Sequence, residues 1–419
     1  MDAAPNVFEG VEKRIEIRFA PEIPCQLGLR ALKRSVLDEL CSKCKCAIIH
    51  HDETESFDAY ILSESSLFVF KDRLMIKTCG TTVPLEGVNF LITQADAIGM
   101  QATDMIYTRC SFLFPDLQLQ PHNDLKKELQ YLSEMDILGR RVAGKSSILG
   151  DANGKYWLIH YKNFLSTDVG EDVPVVTPPH ASHRCLSLAS SQSGQIMVDI
   201  IMTGIDKMAC DFYHKDSSKS DDANARVMGD SLKSVLPEFE TISGKCYDPC
   251  GYSCNAFSGE RYFTVHITPE EAFSYASVEA VFNDDVEGFA TSTIPNVSYL
   301  NHSISQSTVA SENDDTLGNQ LARNITNFIH NVASIFRPRQ ALVTMLVRGY
   351  ASDTSCASLA SQLPEKFSVK GAGKSRSVYA QTTNYLTSEN LLGEDIVASS
   401  VFYSSVSSGN TGNKPPGLS

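Results

Sequence analysis

The sequence predicts an α+β fold in which antiparallel sheets carry helices packed on their outer sides. Three observations predict it. Short strand-like runs (AIIH, DAYIL, SLFVF, LMIKT) recur with few residues between them. Amphipathic helical stripes are few and widely spaced. Neighbouring runs are linked by turns, as KDR at 71–73 links SLFVF to LMIKT in a hairpin. The 419 residues are 42% hydrophobic, enough for a large core. Length alone admits roughly two to three domains, and a β-rich unit can absorb it as one.

In order along the chain, LRALKRSVLDEL (29–40) places Leu29, Leu32, Val36, Leu37 and Leu40 on one helical stripe. Pro84 suits the first turn of a helix that Val88, Leu91, Ile92 and Ala95 continue. Strand MIYTRCSFLF, helix DLKKELQYL and strand YWLIHY follow, then strand QIMVDIIM and a short helix near DKMACDFY. Strands run from about 238 to 280, a helix spans 316–336, and strand ALVTMLV succeeds it. Residues 214–229 and 282–315, rich in Ser, Asn, Asp and Thr, read as loops or insertions, and 407–419 as a disordered tail. No internal repeat at solenoid periods is visible.

The net charge of −14 and pI near 5.2 argue against nucleic acid or an anionic membrane as the main partner. No apolar signal region follows the first residue, and no run approaches the ~20 residues of a membrane span. A cytoplasmic protein is expected. Its twelve cysteines are then reduced thiols. In CSKCKC, Cys41 and Cys44 have the spacing that opens a zinc or redox site, but no second pair follows at finger or ribbon spacing, so a structural role is expected. His50 and His51 read as a solvated strand edge. No metal site is expected, and there is no nucleophile elbow, phosphate-binding loop or HExxH.

One stretch resists a structural explanation. YILSESSLFV puts Ser63, Glu64, Ser65 and Ser66 inside a run that otherwise favours burial, without the Gly, Asn, Asp or Pro of a solvated turn. It is either a polar bulge in an edge strand or a place where a backbone bond is itself a reactant. Three further segments pair reactive side chains with residues a plain core would not choose: FEGVEKRIEI (8–17), KTCGTT (77–82) and DPCGYS…HITPE (248–270). Together, in this order, the four segments resemble the eukaryotic S-adenosylmethionine decarboxylase proenzymes, with a plant-like flavour in GLRAL, YTRCSFLFP and MTGID. The resemblance runs from about residue 8 to 280 and weakly through FRPRQALVTML.

That resemblance implies a four-layer αββα sandwich spanning 1–406, and self-cleavage between Glu64 and Ser65 into chains 1–64 and 65–419. Ser65 would become a pyruvoyl group, the covalent cofactor, which forms a Schiff base with S-adenosylmethionine and accepts electrons as carbon dioxide leaves. The decarboxylated product would donate aminopropyl groups for spermidine and spermine. His266 is implied as the base and Ser253 as its partner in self-cleavage, Cys79 as the proton donor, and Glu9 and Glu12 as active-site acids. Phe8 and Tyr247 would stack on adenine, Glu270 would take the ribose hydroxyls, and Leu62 and Glu64 would offer backbone groups. Tyr247 stands where phenylalanine is usual, so its hydroxyl needs a partner.

Relatives from animals bind putrescine in an acidic site. Glu16, Asp199 and Glu279 take acid-like positions, while Arg14 and Arg109 bring built-in guanidinium groups. Weak or absent putrescine activation is therefore expected. Val278 and Ala280, flanking Glu279, depart from the family pattern. The rivals are a non-catalytic regulatory paralogue and a thiol or zinc protein built on CSKCKC. Subunit pairing is left open.

Overall fold

The computed structural model describes residues 8–23, 25–137, 140–142, 144–165, 195–233, 239, 241–270, 273–283, 317–348, 366–370, 376–387 and 396–406. The tail 407–419 and nearly all of 282–315 lie outside the described residues.

The first half supplies β1 (Lys13–Pro21), β2 (Ile48–Glu53), β3 (Phe57–Leu62), β4 (Ser65–Phe70), β5 (Arg73–Thr78) and β6 (Met100–Cys110). A small ribbon of β7 (Asp136–Ile137) and β8 (Arg140–Arg141) follows, then β9 (Gly144–Gly150) and β10 (Tyr156–Asn163). Apart from the ribbon, these strands form an eight-stranded antiparallel sheet ordered β2-β3-β4-β5-β1-β6-β10-β9.

The second half supplies β11 (Gln195–Thr203), β12 (Thr241–Cys246), β13 (Tyr252–Ser258), β14 (Arg261–Thr268), β15 (Tyr275–Asn283), β16 (Gln340–Arg348), β17 (Lys366–Lys370), β18 (Arg376–Thr387) and β19 (Ile396–Val406). They form a nine-stranded antiparallel sheet ordered β12-β13-β14-β15-β11-β16-β19-β18-β17. The two orders match. In each half the first strand is central, with a four-strand meander on one side and the later strands on the other. The repeat invisible in the sequence is carried by strand order rather than side chains.

Helices α1 (Arg34–Lys43), α2 (Val88–Asp96) and α3 (Leu125–Glu134) cover the first sheet, and α4 (Lys207–Phe212), α5 (Asp221–Lys233) and α6 (Leu317–Phe336) the second. Three separate apolar cores define the layers. Leu37, Leu40, Leu91 and Leu132 pack on Ile15, Leu67 and Ile76; Met228, Leu232, Phe328 and Val332 pack on Val198, Val265 and Val343. Between the sheets, Phe57, Phe68 and Trp157 meet Met197, Tyr262 and Leu346. This is the expected αββα sandwich. No helix among the described residues is long and apolar enough to cross a membrane.

Three local expectations change. The stripe at 29–40 divides into a 3-10 turn at Gly28–Ala31 and then α1. Strand β6 stops at Cys110, short of the aromatic SFLF. Within 214–229, expected as a loop, α5 forms instead: Ser220 Oγ accepts from Ala223 N, and Ala225, Met228 and Leu232 bury one face. Its apolar residues are few, but they fall at helical spacing. The CSKCKC cysteines end α1, with Cys41 and Cys44 in the core and Cys46 Sγ directed at the Cys41 carbonyl. His51 stacks on Tyr60 at 4.4 Å.

Register decides which side chains meet. In β1, Arg14 lies opposite Lys77 of β5 and Thr108 of β6, and Lys13 lies opposite Thr78 and Arg109. Residues directly opposite share a face and successive residues alternate. Arg14, Glu16 and Lys77 therefore point between the sheets, and Lys13 and Arg109 towards the helices.

Candidate active site

The LSESS segment is not a bulge in an edge strand. Leu62 pairs with Ser65 across a tight β3–β4 hairpin, and β4 lies inside the sheet between β3 and β5. Ser65 holds φ at 131°, a region costing a non-glycine residue about 1–3 kcal/mol, so the surroundings must impose it. Both hydroxyls are held in the layer between the sheets. Ser65 Oγ donates to Glu12 Oε1 at 2.5 Å, and Ser66 Oγ donates to Asn255 Oδ1 at 2.7 Å and lies 2.9 Å from Thr264 Oγ1. Asn255 Nδ2 in turn donates to the Tyr60 carbonyl at 3.1 Å. Regular alternation would have sent one of the two serines to the helix side.

The carbonyl of Glu64 is held on the opposite flank. It accepts from Cys79 N at 2.9 Å and lies 3.2 Å from Cys79 Sγ. The thiol is also 3.2 Å from His266 Nε2, and His266 Nδ1 is 2.6 Å from Ser253 Oγ. The last contact follows from register, since Ser253 on β13 faces His266 on β14. Burial, reinforced by the charges of Glu64 and Glu12, pushes the Cys79 thiol far above its ordinary range. Burial lowers His266. The site thus pairs a protonated thiol with a neutral imidazole at neutral pH.

Phe8 lies 6.5 Å from the His266 ring, centroid to centroid. A Cβ on Gly80, whose φ is +61°, would come 3.2 Å from Phe8 Cε2 and 3.0 Å from Glu64 Oε2, so this position is kept bare beside the site. Gly10 is needed for a similar reason: its Cβ would strike the Tyr275 ring at 2.4 Å. The Tyr247 hydroxyl donates to the Leu62 carbonyl at 3.1 Å, which supplies the partner it required. Glu9 caps two backbone groups, Val11 N at 3.0 Å and Phe114 N at 2.7 Å, while burial raises its pKa. Glu270 is half-buried just past β14.

The family model for adenosylmethionine decarboxylase matches residues 5–299. The chain belongs to the adenosylmethionine decarboxylase family. It is 36% identical over 283 residues to S-adenosylmethionine decarboxylase proenzyme 2 of Dianthus caryophyllus, covering 66% of this chain and 68% of that one. It is 34% identical over 291 residues to proenzyme 3 of Arabidopsis thaliana, covering 68% and 76%. A Trypanosoma brucei AdoMetDC-delta26 monomer aligns over 81% of this chain and 99% of its own at 16% identity, with a TM-score of 0.46.

In this adenosylmethionine decarboxylase family member, a buried charge ladder leads away from Ser65. Lys77 Nζ bridges Glu12 Oε2 at 3.2 Å, Asp199 Oδ1 at 3.1 Å and Glu279 Oε2 at 3.3 Å. Ser277 Oγ donates to Glu12 Oε2. Arg14 pairs with Glu279 at 3.0 Å and with Glu16 at 2.8 Å, and Arg18 reaches Glu16 at 3.3 Å. Burial alone would lower Lys77, but Asp199, Glu12 and Glu279 hold it above its ordinary value. Asp199, buried beside Glu279 and Glu12, is pushed up to about 7 despite Lys77.

Arg109 does not join this ladder, contrary to expectation. Its register opposite Lys13 turns it to the helix side, where Nε donates to Glu128 Oε2 at 2.8 Å and Nη1 to Tyr156 Oη at 3.0 Å. The lysine that neutralises the acids went unread in the KTCGTT segment. So did Asn255, Thr264 and Ser277, whose roles exist only once the second sheet covers the first.

Proposed function

We propose that this chain is a proenzyme that cuts its own Glu64–Ser65 bond and then decarboxylates S-adenosylmethionine, supplying an aminopropyl donor. One observation carries the reading: a strained Ser65 whose hydroxyl meets Glu12 while the preceding carbonyl is held by Cys79. Ser65 Oγ attacks the Glu64 carbonyl carbon as Glu12 takes the hydroxyl proton, and Cys79 N–H stabilises the oxyanion. The C–N bond breaks as that proton passes from Glu12 to the departing nitrogen, leaving an ester and a free Ser65 amine. His266 then removes the Ser65 α-proton and the Glu64 carboxylate departs. To act so, Nε2 needs its lone pair, which requires Ser253 Oγ to accept Nδ1–H. The resulting dehydroalanine tautomerises to an imine, and water releases ammonia to leave a pyruvoyl N-terminus on chain 65–419.

That group, when formed, supplies an electron-accepting carbonyl for loss of carbon dioxide. The bare Gly80 lets Glu64 and Phe8 lie close against the turn that follows Cys79. Cys79, kept protonated, holds a proton for the carbon that loses carbon dioxide. Phe8 and Tyr247 offer π-faces to adenine and the cationic sulfonium, and Glu270 an acid to the ribose. Because Lys77 and Arg14 already pair with Asp199, Glu279 and Glu16, putrescine activation is weak or absent in this reading, with Lys77 and Arg14 rather than Arg109 supplying the charge.

Intact mass of the purified protein beside Ser65→Ala tests the proposal. The expected result is two fragments split after Glu64, the larger with a blocked, pyruvoyl-mass N-terminus, and one uncut chain in the variant. A single uncut chain in both samples overturns it.

A further inference from the structure

We propose that Lys13 is a positioning residue for the decarboxylation assigned above: its buried ammonium anchors the Gly80 carbonyl and so fixes where the Cys79 thiol delivers its proton. The inference rests on that functional reading. Lys13 is fully buried, yet it lies on the helix-facing side of β1, away from the Lys77 ladder. Its Nζ donates to the Gly80 carbonyl at 2.9 Å and to Gln118 Oε1 at 2.9 Å, and it lies 5.2 Å from the centre of the Phe112 ring.

Gly80, the residue after Cys79, is therefore gripped from both sides, because its N–H donates to the Glu9 carbonyl at 2.8 Å while its carbonyl accepts from Lys13. Gly80 sits in the left-handed region at φ +61°, where a chain without side-chain constraints would otherwise drift. Burying an ammonium is costly unless its donors are used. Here the charge is spent on one backbone carbonyl adjoining the reactive thiol and on the glutamine that steadies the lysine from behind. Burial lowers the Lys13 pKa to about 8, against support from Cys79, Glu9 and Glu128. The ammonium form, which makes both bonds, still prevails at neutral pH.

The test compares the wild-type enzyme with Lys13→Met, which keeps length but loses both bonds, and Gln118→Leu, which removes only the rear support. Each is allowed to self-cleave, checked by intact mass, and then turned over in deuterated water. The wild type should give a monodeuterated product of single handedness at the carbon that lost carbon dioxide. A displaced thiol should lower kcat roughly 10- to 100-fold in Lys13→Met with KM little changed, and scramble that handedness. Gln118→Leu should move both readouts the same way by less. A cleaved Lys13→Met with wild-type kcat and handedness, or with a raised KM alone, overturns the assignment. A folded Lys13→Met that stays uncut does so too. An uncut or inactive wild type overturns instead the decarboxylase reading on which it rests.

Discussion

At the scale of single residues, burial holds Cys79 and His266 in the protonation states that the proposed mechanism requires. His266 is lowered from 6.5 by burial, so the neutral, proton-accepting form dominates at neutral pH. Cys79 is raised by burial and by the acids around it, so the thiol keeps its proton. The sign for self-cleavage follows. The base is lost only as pH falls through a value below 6.5, and thiol ionisation imposes no limit on the alkaline side near neutrality. The rate of conversion of freshly synthesised precursor, followed on gels, should show its main decline only below pH 6.5, with no more than a minor step near 7 from Asp199, which reaches Glu12 only through Lys77. A midpoint at or above 6.5 would assign the controlling proton to another group. Only the serine cluster at Ser65 stood out on its own, as hydroxyls inside a run that favours burial; Cys79 and His266 each read alone as a core residue and were marked only through the family resemblance. Lys77 was not marked at all, since a lysine near a strand end reads as surface until register sets it opposite Arg14.

At the scale of elements, the β3–β4 hairpin is shaped from outside itself. Nothing within LSESS explains why Ser65 holds φ at 131°; the second sheet does, through Asn255 and Thr264 on Ser66 and through Ser277 on Glu12. Contacts between residues so far apart along the chain leave no local signature, which is why the segment could be read either as a bulge or as a reactant. Helix α5 was missed for the opposite reason, because its Ser- and Asp-rich start resembles a loop while its three buried apolar residues suffice once β12 and β13 offer a surface. Replacing Asn255 by Leu would strip the Ser66 hydroxyl and the Tyr60 carbonyl of a buried partner. In the uncuttable Ser65→Ala background this should cost about 1–3 kcal/mol in urea unfolding. In the cleavable chain it should slow self-cleavage. Unchanged kinetics would mean that the hairpin is shaped by its own turn.

At the scale of the whole molecule, the proposed cut falls where the fold is least able to come apart. Residues 1–64 contribute β1, β2 and β3, and β1 is a central strand, bonded to β5 on one side and β6 on the other. Strand β3 pairs with β4 across the cut itself. The small fragment also carries Arg14 and Glu16 into the ladder with Glu279, and Ile15, Ile17, Leu37 and Leu40 into the outer core. Releasing it would expose these apolar surfaces and leave buried charges unpaired, and unpairing alone costs about 3–5 kcal/mol per broken pair. The broken peptide adds only local freedom at a hairpin turn. The two fragments should therefore co-elute in gel filtration and separate only across the same denaturant transition in which the second sheet unfolds, monitored by circular dichroism. Elution of free 1–64 before that transition would show that the cut, rather than global unfolding, sets the lifetime of the assembled site.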